Sequence, residues 1–309
     1  MVRGMRGKAS ESFLAAGALV ICANVLFPLQ DAFTKQAMVD FPLWAVLFVR
    51  SAAILAFTLA IGRTRLVHRL VETPWKLFLA IRAIIMLCAW AAFYLSVRSL
   101  GLGQATTLYF LSPILVALAA KPFLAERTSW AQWLAILWGF VGVVSASGIS
   151  KFQFSPAIAF ALISACLWSV ALLMLRAASK EEGALTQVAF CNAVFVAVTF
   201  VPVLVQGFSA DLREIAWIAM IGLVGGAGQF CLYVAARRIA APVLSALEYT
   251  SIVSAFGLGY LMFGEIPTPR IWFGAALILV AGLIVIAVEQ ERARRARPPF
   301  ATVGALAPH

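Results

Sequence analysis

Three ionisable side chains, Arg50, Arg82 and Glu248, lie deep inside long apolar runs. A charged group at the centre of a bilayer costs roughly 2.5–3.5 kcal/mol on insertion scales. Each of the three must therefore face a partner or a wet cavity. A carboxylate in such a cavity can hold the cationic group of a solute or exchange a proton. A guanidinium can grip a carboxylate through two parallel hydrogen bonds. Arg82 lies seven residues beyond Trp75, and Glu248 seven beyond Ala241. At 1.5 Å per residue both are about 10 Å below the same surface, so they can pair. Arg50 is equally far from the opposite surface, where Asp31 at the end of the first run is in reach of it as a gating partner. Glu248, Arg82 and Arg50 are thus candidate substrate ligands. The competing reading of Glu248 with Arg82 is a salt bridge that locks the helices.

Neutral groups extend the candidate site. Asn24 and Gln229 sit in mid-run, and Gln104 and Asn192 lie inside or near the ends of runs. An amide in hydrocarbon must find partners, either across helices or in a cavity. Trp90, Trp168, Tyr109 and Tyr249, with Tyr94 and Phe110, can form a wall that stacks on a flat or cationic ligand. Aromatic residues in spans also serve simply as packing or interfacial anchors. Pro113 lies deep enough in the fourth run to bend it and so to gate a passage. The two histidines, His68 and His309, have no metal-ligand spacing. The five cysteines all fall inside apolar runs, where they read as small buried apolar side chains. No catalytic residue, metal or cofactor is expected.

The elements that carry these residues are membrane spans. The chain has 309 residues, 63% hydrophobic and 12% charged, half the usual charged share of a soluble domain. A span needs roughly 20 mostly apolar residues. Ten runs qualify: Ser12–Phe33, Leu43–Gly62, Trp75–Val97, Gly103–Phe123, Ser129–Ser147, Ser155–Leu175, Ala184–Gly207, Glu214–Ala236, Ala241–Phe263 and Arg270–Val288. The first has a basic flank like a signal peptide, but it runs on through Pro28 and Asp31 without a small-residue cleavage site. The net charge of +11 does not point to nucleic acid, because the basic residues cluster at span ends. Seventeen of the 24 Lys and Arg fall on one side of the membrane and five on the other. That bias places both termini in the cytoplasm and the chain in the inner (plasma) membrane.

The second half repeats the first. An offset of 139 pairs Glu126 with Glu265, Tyr94 with Tyr233, Arg98 with Arg237, Ser112 with Ser251 and Trp133 with Trp272. Each half has five spans, and an odd number forces the second copy to enter the membrane from the opposite side. The expected fold is all-α, with ten transmembrane helices as two inverted five-helix repeats, residues 1–150 and 151–290, and a basic tail at 291–309. Such repeats place a transport site near the midplane between them. The membrane charges break the symmetry: Tyr109 stands opposite Glu248, Ile221 opposite Arg82 and Ala189 opposite Arg50.

These residues resemble the drug/metabolite transporter superfamily, in its ten-helix EamA-type branch. The resemblance covers nearly the whole chain. It rests on Asp31-x-x-x-Lys35, Phe48-Val49-Arg50, Arg82, Ser112-Pro113, the two span-ending glutamates Glu126 and Glu265, and Leu247-Glu248-Tyr249-Thr250. It implies a carrier of amino acids, S-adenosylmethionine, riboflavin or similar metabolites. The placing of Arg50, Arg82 and Glu248 leans toward the S-adenosylmethionine carriers. The small four-helix relatives couple to protons through a glutamate in the first span, where this chain has Asn24. The expected function is alternating-access transport of a small amphipathic metabolite, zwitterionic or cationic, by a monomer or homodimer whose other partner is the lipid bilayer. A channel or structural membrane protein, or an intramembrane enzyme, is the alternative.

Overall fold

The computed structural model describes residues 2–100, 102–126, 128–147 and 155–263, with isolated positions between 269 and 291. Eleven helices are formed among the described residues: α1 (Val2–Asp40), α2 (Leu43–Glu72), α3 (Lys76–Leu100), α4 (Leu102–Tyr109), α5 (Ser112–Leu124), α6 (Trp130–Ser147), α7 (Pro156–Ala178), α8 (Ala184–Gln206), α9 (Leu212–Ala236), α10 (Ala241–Glu248) and α11 (Ser251–Phe263). Seven stretches are long and apolar enough to cross a membrane, namely α1 from Leu14, α2, α3, α7, α8, α9 and the α10–α11 pair. The chain is therefore a multi-pass membrane protein. The remaining expected runs differ. The fourth is split into α4 and α5, the fifth is α6, which starts one residue later than expected and ends at the same residue, and the tenth falls where only isolated positions are described. Glu265, the tail from 292 and the side chain of Gln104 lie outside the described residues.

Burial is inverted relative to a water-soluble protein. Asn24, Gln30, Arg50, Arg82, Asn192, Gln229 and Glu248 are buried, while Phe123, Leu204 and Val205 are exposed. Backbone satisfied within each helix and apolar side chains turned outward are what a lipid solvent selects. Two boundaries refine the expected ones. α1 continues nine residues past Asp31, so that carboxylate is inside the helix rather than at its end. α2 turns sharply at Arg63, which has φ 50°, one residue after the expected end of its span at Gly62.

The split spans follow the repeat. α4 and α10 are eight residues each, α5 and α11 thirteen each, and every boundary of one pair lies 139 from its counterpart. At each break the ladder tightens to i→i+3 bonds, Leu111 N to Leu108 O and Thr250 N to Leu247 O. A mid-span turn of this kind marks a hinge. Pro113 sits in the first turn of α5, but its counterpart in α11 is Ile252, which breaks at the same place. The proline thus sits at the break, as expected of a bend in the fourth run, and the other copy breaks at the same place without a proline. Packing partners also exchange under the shift. α3 lies along α7 as α1 lies along α9, α5 meets α7 as α11 meets α1, and α2 packs on α8.

Glycines on α9 set how closely it approaches α1 and α2. A Cβ on Gly222 would lie 2.5 Å from the Arg50 carbonyl oxygen, and one on Gly225 would strike the Gln30 side chain. These two positions are close-approach points.

Candidate functional site

α10 ends at Glu248, and the hinge that follows turns this carboxylate toward α7. Trp168 on α7 donates its indole N–H to both carboxylate oxygens, at 3.0 and 3.2 Å. The carbonyls freed by the hinge are satisfied locally. Asn24 on α1 donates to Leu247 O at 2.7 Å and to Thr250 Oγ1 at 2.8 Å. Ser251 Oγ donates to Glu248 O at 2.7 Å. Across the molecule, Tyr249 OH donates to Phe110 O at 3.3 Å, capping the other hinge. The two breaks thus meet face to face, with the Phe110 and Tyr249 rings 5.5 Å apart.

A cavity of about 90 Å³ opens beside Glu248. Asn24, Glu248 and Trp168 line its inner part, Tyr109, Phe110 and Trp90 its aromatic wall, and Asp31, Tyr94 and Thr106 its far part. The lining runs toward the end of the bundle where α1 and α3 finish. Its charged side chains are both carboxylates, Asp31 and Glu248.

The arginines stand behind this wall. Arg50 is fully buried, with its guanidinium 4.0 Å over the Trp90 ring and Nη1 donating to Tyr94 OH at 3.3 Å. Tyr94 OH in turn donates to Asp31 Oδ1 at 2.7 Å. The expected Arg50–Asp31 pair is therefore bridged by a phenol. Arg82 is packed over the Tyr233 ring at 4.6 Å. Its expected pairing with Glu248 is not formed, because the carboxylate is turned to Trp168 on the other side of the hinge. Equal depth along two helices did not make them neighbours, since the azimuth of each side chain was undetermined.

Of the expected substrate ligands, Glu248, Asn24, Trp90, Trp168 and Tyr109 come together on the lining, with Asp31. Arg50, Arg82, Tyr249 and Gln229 are not among the lining residues. Gln229 accepts from Asn192 Nδ2 at 3.0 Å and ties α8 to α9. Sequence reasoning missed Gln30, Phe27, Thr106 and Ser251 on the wall. Gln30 carried a usable signal, an amide next to Asp31 inside an apolar run.

At the opposite end of the bundle a second polar group closes the structure. Glu126, placed by a left-handed Ala125 (φ 57°), accepts from Arg176 Nε at 2.9 Å and from Ala241 N at 2.8 Å. It thus binds a cation and caps a helix N-terminus. The helix is α10, in the other half of the chain.

A bundle of apolar spans with paired breaks around an aromatic cavity that holds two carboxylates defines a polytopic membrane protein. The chain belongs to the EamA-like transporter family, which matches residues 14–148 and again 155–287. It is similar to a riboflavin transporter of Rhizobium johnstonii, 26% identical over 290 residues, covering 90% of this chain and 93% of that one. It is also similar to an S-adenosylmethionine uptake transporter of Rickettsia bellii, 24% identical over 188 residues, covering 60% of this chain and 64% of the other. A crystal structure shares the fold with TM-score 0.74 at 20% identity, over 92% of this chain and 99% of that one.

Proposed function

We propose that this protein is a secondary transporter of a small amphipathic metabolite with a cationic group, an amino acid, S-adenosylmethionine or a similar zwitterion or cation. It works by alternating access in the inner membrane, with both termini cytoplasmic. Ten spans form two inverted five-helix halves, residues 1–150 and 151–290, that rock about a site at Glu248. The repeated helix boundaries, the paired hinges and the exchange of packing partners support this arrangement.

The observation that carries the substrate reading is the wall itself. Glu248 faces an aromatic cavity in which the charged groups are carboxylates, and the nearby Arg50 is screened behind Trp90. Carboxylate plus aromatic faces favours a positive group with an apolar body. A volume of about 90 Å³ holds roughly three waters, whereas metabolite sites run about 300–1,000 Å³. Substrate therefore enters by widening the cavity, and the hinges at Phe110 and Tyr249 give α4 and α10 the freedom to do so. Relatives named for riboflavin and for S-adenosylmethionine leave the cargo to be read from the wall rather than from the family.

The test is a thermal-shift screen of the purified protein and of Glu248→Gln against amino acids, S-adenosylmethionine, flavins, nucleosides and cationic dyes. A ligand at 100 times its dissociation constant adds about 2.7 kcal/mol to the state that it binds. Stabilisation of the parent and not of Glu248→Gln is the expected result. Equal stabilisation of both would move the binding site away from Glu248.

A further inference from the structure

One side of the repeat is open and its mate is shut. Thr106, Ser251 and Ala255 line the cavity and keep partial exposure. Their counterparts 139 residues away, Ser245, Ser112 and Val116, are each 0% exposed. Trp90 on the wall likewise corresponds to Gln229, which is fully buried. At these four positions one copy of the repeat is open and the other is closed.

The closed end carries the Glu126 network. One carboxylate oxygen takes Arg176 of α7 and the other takes the first amide of α10. Arg176 Nη1 also donates to Ala236 O at the end of α9. A single carboxylate therefore ties α5, α7, α9 and α10 together. Both side chains are only about 15% exposed (14% and 15%), so water screens the pair weakly. At the two-fold-related end the counterpart of Arg176 is Ala37.

We propose that Glu126 with Arg176 is the latch of the second passage. That passage runs between α5, α7 and α10, past Val116, Ser112 and Ser245, to Glu248. The latch must open for the cavity to face the other side of the membrane. The inference rests on the alternating-access reading and adds to it which contact holds the present state.

The experiment uses a variant lacking the five native cysteines, carrying either Thr106→Cys or Ser245→Cys, in detergent with a water-soluble maleimide. With the latch intact, Thr106→Cys reacts and Ser245→Cys does not. With Glu126→Gln or Arg176→Gln, labelling of Ser245→Cys rises severalfold while that of Thr106→Cys falls. Global unfolding would raise both and also an Ala161→Cys control, whose native residue is fully buried. If the Gln variants do not fold, Glu126→Asp shortens the reach to Arg176, keeps the charge and gives the same reciprocal shift. Unchanged labelling in folded latch variants overturns the latch and leaves alternating access standing. A rise at both positions with the Ala161→Cys control silent means that the two routes open together, and that overturns alternating access and the latch with it.

Discussion

Tyr249 donates its phenolic hydrogen to the carbonyl of Phe110, a residue 139 positions earlier. That separation is the repeat interval itself. A residue that touches its own counterpart lies where the two halves meet. The contact joins the two breaks, and the Phe110, Leu247 and Glu248 carbonyls each find a side-chain donor. We expect Tyr249→Phe to lose this bond while keeping the ring packing, at a cost of about 1 kcal/mol. Chemical denaturation in detergent measures it. Because the bond links the hinges, the variant should also show faster hydrogen exchange at Leu111 and Thr250.

Gly139 on α6 leaves room for Tyr249 at this contact. A Cβ there would sit 2.5 Å from Tyr249 Cδ2. Gly139→Ala forces the ring or α6 to shift and should destabilise the protein by about 1–3 kcal/mol. Gly257 on α11 is the control, since nothing lies within 4 Å of a Cβ placed there. Gly257→Ala should be neutral or stabilising by up to about 1 kcal/mol, as helix propensity dictates. Equal effects of the two substitutions on melting temperature would sink this account.

Much of this arrangement was legible in the sequence, and the losses have a common cause. Hydropathy marks where a helix lies along the membrane normal, so the spans through Arg50, Arg82 and Glu248 were placed correctly along their axes. It carries no information on azimuth, so the pairing of Arg82 with Glu248 was misread and the Trp168 bond was not anticipated. Tyr94 was read as a wall residue, whereas its hydroxyl as a bridge between Asp31 and Arg50 needs three helices in place. The repeat interval was readable from matched pairs such as Ser112 and Ser251. The hinge beside them was attributed to Pro113 because proline is the visible helix breaker, while the proline-free copy at Ile252 breaks equally.

Trp168 is expected to position Glu248 rather than merely cover it. Trp168→Phe keeps most of the aromatic volume and removes the indole N–H that both carboxylate oxygens accept. Affinity for a cationic ligand should fall about tenfold, equivalent to about 1.4 kcal/mol. Trp168→His, which retains a ring N–H, should recover part of the loss. Titration of ligand-dependent melting temperature reads both variants. If Trp168→Phe binds as tightly as the parent, the indole bond is incidental to the site.

The buried Arg50 offers the sharpest test of the wall. Its Nη1 bonds to Tyr94 OH, its face rests on Trp90, and its Nε and Nη2 have no protein partner. Tyr94→Phe removes the one phenol that connects this charge to Asp31. Hydrogen bonds to charged groups are worth about 1.5–3 kcal/mol, so a loss in that range is expected from the single substitution. Replacing the arginine as well should not add a second loss of that size. An uncompensated buried charge is worse than an apolar side chain of similar volume. In a double-mutant cycle, Arg50→Met combined with Tyr94→Phe should therefore be more stable than the sum of the two single effects, by about 1 kcal/mol or more. Strict additivity would mean that Arg50 does not depend on Tyr94 and that the charge is accommodated by Trp90 alone.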